Sequence, residues 1–129
     1  MKNISSKILA LSLLLMISSC YYDETVEVIL PEIPDDQEVS FAEDIQPIFI
    51  QEGKDCTACH NGTVANPDLR EGNAYDAIVP DYVVPGDADA SELYQKLPGN
   101  NHPIEAGFLL NAEEMALIKT WIDRGAENN

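Results

Sequence analysis

Five consecutive residues, Cys56-Thr57-Ala58-Cys59-His60, constrain this chain more than any other feature, because they place two thiols and an imidazole within little more than one turn of backbone. Cys-x-x-Cys-His is a haem-attachment pattern. Two sulfurs at this spacing reach the two vinyl groups on one porphyrin edge, and the next side chain falls beneath the iron. Cys56 and Cys59 are therefore candidate covalent attachment points for one haem c, and His60 is the candidate proximal axial ligand. Two other readings of the same residues stay open. One is a redox-active or structural disulfide between Cys56 and Cys59, as in Cys-x-x-Cys oxidoreductases, although no βαβ pattern accompanies it and His60 adjoins it. The other is a zinc ion held by Cys56, Cys59, His60 or His102, although a finger expects its second ligand pair at closer, regular spacing.

The N-terminus carries Lys2 and Lys7, an apolar run from Ile8 to Ile17, and two serines before Cys20. That run is about half the roughly 20 residues of a spanning helix, so residues 1–19 read as an export signal to be removed. Ile17-Ser18-Ser19-Cys20 resembles the lipobox of bacterial lipoproteins, in which the cysteine is acylated. The alternative is an ordinary signal peptide that leaves Cys20 a free thiol, a liability in an oxidising compartment. Acylation of Cys20 leaves Cys56 and Cys59 as the remaining cysteines, both consumed by haem. Tyr21, rather than aspartate, after the lipidated cysteine resembles lipoproteins sent to the outer membrane, and Asp23 and Glu24 loosely resemble a surface-export signal. The expected place is the cell envelope, at the outer membrane.

Removing the signal leaves 5 basic against 23 acidic side chains, a formal charge of −18. Nucleic acid and bare anionic lipid are poor partners for such a chain. A redox partner is expected to present a basic docking patch; simple solubility is the other explanation of the charge.

Residues 20–38 are acidic, contain Pro31 and Pro34, and read as an extended tether, with an edge strand over Val26 to Leu30 as the alternative. Residues 39–129 make one domain with a modest apolar core, of the size that usually needs a staple; a covalently held porphyrin would be one. Ser40-Phe41-Ala42-Glu43 has capping-box spacing, and Phe41, Ile45, Ile48 and Phe49 recur at helical intervals, with Pro47 predicting a kink or two short pieces. A second helix is expected from about Asp89 to Leu97, stopped by Pro98-Gly99, and a shorter turn over Asn73 to Ile78. The last helix is capped by Asn111 with Glu114 three residues on, stapled by Leu110 to Met115, continued by Ile118 and Ile122, and ended by Gly125. Asn61 to Glu71 and Asp81 to Asp87 read as loops, and no strand pattern competes.

Beyond the motif, Pro67-Asp68-Leu69-Arg70, Asn73-Ala74-Tyr75, Val84-Pro85-Gly86-Asp87, Ser91, Leu93-Tyr94 and Trp121-Ile122-Asp123-Arg124-Gly125-Ala126 resemble a small cytochrome c family common in Bacteroidetes and Planctomycetes. The resemblance runs from Phe41 to Asn129 and includes Ile45-Gln46-Pro47-Ile48 ahead of the motif. It implies an all-α, cytochrome c-like domain of class I type, three to five short helices around one covalent haem, with the first and last helices packed beside it and Trp121 in the core or on the haem. The family presents Met-Pro-Pro shortly before the last helix, its methionine being the second axial ligand. Here that place reads Asn101-His102-Pro103-Ile104, and the mature chain's one methionine, Met115, is already explained as core. His102 is therefore the candidate distal ligand, with a surface loop histidine as the alternative.

These residues predict a membrane-anchored electron carrier rather than an enzyme. With His60 and His102 both bound, iron would be closed to substrates and lower in potential than in His/Met relatives. A haem enzyme or gas sensor with an open axial position, and a haemless interaction protein with a Cys56–Cys59 disulfide, are the alternatives.

Overall fold

The computed structural model describes residues 29–98, 100–102 and 106–129. The signal segment, Cys20 and residues 21–28 of the tether lie outside the described residues, among them Val26 to Val28 of the alternative edge strand; Ile29 and Leu30 are not in a strand.

The first helical segment is split, as Pro47 predicts. A π-helical turn, Phe41–Ile45, runs directly into α1, Gln46–Phe49, with Pro47 in its first turn. Within the turn the amides of Ile45 and Gln46 reach back five residues, to the carbonyls of Ser40 and Phe41. The extra residue per turn also alters the cap. The Ser40 hydroxyl accepts the Glu43 amide, but it is Asp44, one residue beyond Glu43, whose carboxylate accepts the Ser40 amide at 2.7 Å.

Next comes an antiparallel hairpin, β1 (Ile50–Gln51) paired with β2 (Lys54–Asp55), closed at Gly53 with φ +80°. Glycine reaches that conformation without the clash a Cβ would bring. A 3-10 turn, Cys56–Ala58, follows, then α2 (Ala74–Ile78), α3 (Glu92–Gln95) and α4 (Ala112–Asp123). α2 falls where expected. α3 is shorter than the predicted Asp89–Leu97 span: Asp87 accepts the Ala90 amide, and the fully buried Ser91 hydroxyl accepts the Val84 amide and donates to the Asp87 carbonyl. These bonds hold residues 87–91 in turns. In α4 both halves of the Asn111–Glu114 capping box form.

This architecture corrects the expected all-α, cytochrome c-like fold. Helix makes up 34% of the described residues, in short pieces, and a two-stranded sheet stands immediately before the cysteine motif, giving a small mixed fold. Strands of two residues are too short to write an alternating pattern into sequence, and Gly- and Pro-rich loops between the motif and α4 limit α2 and α3 to single turns.

The core gathers Phe41, Ile45, Ile48 and Phe49 from the first segment, Leu69, Ala74, Ile78 and Val83 from the middle, and Ile118, Trp121 and Ile122 from α4. The Phe41 ring lies 5.2 Å, centroid to centroid, from both Trp121 and Tyr75. Trp121 donates its indole N–H to the Glu127 carbonyl, so it is a satisfied core residue. Met115 packs half-buried against this core.

The end of the tether is fastened to the domain. The Arg124 guanidinium donates to the carbonyls of Ile33, Pro34 and Gln37 and pairs with Asp35, and Asn129 accepts from Ser40, Phe41 and Ala42. Four further ion pairs join Lys54 to Glu114, Arg70 to Asp68, and Lys119 to both Asp89 and Asp123. Among the described residues no helix is long and apolar enough to cross a membrane.

Truncating the aromatic hub tests this core: Trp121→Ala is expected to cost about 3–5 kcal/mol in equilibrium urea unfolding, with Trp121→Phe costing clearly less.

Candidate haem-attachment site

The hairpin delivers the cysteine motif. Asp55, the last residue of β2, caps the 3-10 turn by accepting the Thr57 amide at 2.9 Å and the Thr57 hydroxyl at 2.6 Å. The Cys56 carbonyl accepts the amides of both Cys59 and His60, the latter at 2.8 Å. That single tight turn keeps the two thiols and the imidazole on one short stretch of coiled backbone.

A second layer holds His60 from behind. Its carbonyl accepts the Leu69 amide at 2.9 Å, and the Leu69 carbonyl accepts the side-chain amide of the buried Gln46 at 3.0 Å, tying the His60 loop to α1. The loop is closed by Asp68, whose carboxylate takes two bonds from the Arg70 guanidinium and one from Asn73. Gly62 passes close by with φ +71°, and a Cβ there would lie 3.2 Å from an Asp68 oxygen. The Arg70 bonds hold the Asp68 carboxyl down at about 2.

A third contact comes from α4. The Lys54 ammonium lies 2.8 Å from both oxygens of Glu114, and Glu114 also accepts the Asn111 amide. Burial pushes the Glu114 carboxyl up, but the bonds from Lys54, the Asn111 amide and Gln51 outweigh it and hold it below its usual range.

Both cysteines are free thiols, Cys56 half-buried and Cys59 exposed. The Cys56 thiol is pushed up to about 11 by burial, by Asp55 and by Glu114. An oxidoreductase needs the opposite, a lowered thiol that attacks as thiolate at neutral pH, so the disulfide-exchange reading finds no support in this environment.

The structure brings His102, on the far loop, to His60. Their ring centroids are 6.2 Å apart with the planes at 80°. Metal–imidazole bonds of about 2.0–2.1 Å, with the ring nitrogen about 1.1 Å from its centroid, would set two rings on opposite sides of one metal about 6.3 Å apart. The enclosed His60 Nδ1 has no hydrogen-bond partner among the described residues, a costly condition for a buried polar atom. Among the described residues no group of three or more His, Cys, Asp or Glu is arranged to hold a metal ion. A bare zinc ion asks for four ligands, whereas an iron already carrying four porphyrin nitrogens asks for two. The two imidazoles, 6.2 Å apart, match that second requirement in number. Pro103 and Ile104, next to His102, lie outside the described residues.

Lys54, Glu114, Gln46 and Asp68 were not expected at this site. Glu114 was visible only as half of a capping box, and nothing in sequence order links it to Lys54. Compared with protein-family models, with curated proteins and with solved structures, the chain matches none.

Alkylation of haem-free chain at pH 8, read by mass spectrometry, is expected to modify Cys59 well before Cys56; equal rates would contradict the environment described. Acid tests the loop. The Asp68 carboxyl sits lower in the folded chain than its ordinary 3.8, so its stabilisation is complete above about pH 4 and is lost as pH falls toward 2. Proteolysis within residues 61–73 should rise over that window, and Asp68→Asn should be cut readily at neutral pH.

Proposed function

We propose that this chain is a monohaem c-type cytochrome, an electron carrier held to the cell envelope through lipid on Cys20. Cys56 and Cys59 hold the haem by thioethers, His60 is one axial ligand and His102 the other. The observation that carries the reading is the pairing of the Cys56–His60 turn with a second imidazole at 6.2 Å. Bound there, haem would supply one reversible one-electron couple between ferric and ferrous iron.

The residues around it keep that couple simple. Two imidazoles leave no vacant axial position for a substrate. The Cys56 carbonyl, the Leu69 amide and Gln46 hold the His60 backbone in place, which limits rearrangement when the charge on iron changes. A mature charge of −18 favours a donor or acceptor with a basic docking face. Nucleic acid has no role in this reading.

The test uses full-length chain exported from cells able to mature c-type cytochromes. Haem is expected to stay on the polypeptide in a denaturing gel, with a low-spin spectrum that carbon monoxide does not change. His102→Ala should open the iron to carbon monoxide. A colourless chain sinks the proposal; native protein that takes up carbon monoxide favours the gas-binding alternative instead.

A further inference from the structure

We propose that Lys54 and Glu114 are positioning residues for the haem: the pair clamps the strand that leads into Cys56 to the first turn of α4, and its two charges bias the iron's redox equilibrium in opposite directions. This rests on the haem reading above.

The geometry is that of a latch rather than a passing surface contact. Lys54 lies two residues before Cys56 on β2, and its ammonium meets both Glu114 oxygens at 2.8 Å. Glu114 is in turn fixed by the capping box, its Oε2 accepting the Asn111 amide at 2.7 Å while Asn111 accepts the Glu114 amide. The Glu114 side chain is only 12% exposed and that of Lys54 27%, so solvent screens the pair less than it screens a surface pair. The Lys54 carbonyl, meanwhile, faces the Cys56 sulfur at 3.8 Å. One residue thus points its side chain at α4 and its backbone at an attachment sulfur. The Glu114 carboxylate is close enough to that sulfur to help raise the Cys56 thiol.

Charge so near the attachment point acts on the metal's oxidation state. Ferric iron carries one more positive charge than ferrous iron, so a nearby carboxylate favours the ferric form and a nearby ammonium the ferrous. Paired, the two effects largely cancel; removing one partner uncovers the other.

Full-length holoprotein, shown by denaturing gel to carry covalent haem, is titrated potentiometrically at one pH and ionic strength. Glu114→Gln is expected to raise the midpoint potential, Lys54→Met to lower it, and the double variant to return close to the native value. A loosened attachment strand alone would move all three the same way, and that result, or no shift in a haem-loaded variant, overturns the proposal. Should Glu114→Gln fail to retain haem, Lys54→Met is compared with Lys54→Arg: the arginine must restore the native potential, and its failure to do so overturns the proposal as well. A colourless native chain removes the haem reading and this one with it, whereas coloured protein with wrong-signed shifts removes this one alone.

Discussion

The contact of Phe41 with Trp121 joins the first helical segment of the domain to its last helix, and every short element between them depends on that closure. It is reinforced at the backbone, where Asn129 accepts the Phe41 amide across a sequence separation of 88. Bringing such distant residues together costs loop entropy, but that cost grows only slowly with length. Once it is met, the single-turn helices α2 and α3, too short to persist alone, have a surface to pack on. Ile78, Val83 and Ala88 are fully buried against it.

The same closure places the cysteine motif. α1 ends at Phe49, the hairpin turns the chain back, and Lys54 meets Glu114 at the start of α4, so the strand leading to Cys56 is held against the last helix. On the other side, Gln46 reaches from α1 to Leu69 and through it to the His60 backbone. The motif is thus tied to α1 and α4 as well as to the loop beside it, and such ties hold side chains on irregular backbone in place.

What the sequence disclosed followed the range of the physics involved. The Asn111–Glu114 box, the break at Pro47 and the turn over residues 74–78 are local, and each was legible from neighbouring residues. The motif was legible because its chemistry needs all its parts within five positions. The hairpin was not, since two-residue strands show no period; nor was the early turn at Asp87, which pre-empts the predicted start of α3. The all-α expectation drew on resemblance to a family and overlooked both. The approach of His102 to His60 and the reach of Lys54 to Glu114 span dozens of residues, and only folding decides them.

The ion pairs have a consequence for how the molecule looks from outside. Of the five cationic side chains of residues 20–129, Lys54, Arg70, Lys119 and Arg124 are each paired with an acid of the same chain, and among the described residues only Lys96 is not. Seen from a Debye length away, the domain is close to a monopole without a positive pole to orient it. Such a field draws a cationic molecule in from any direction yet does little to align it.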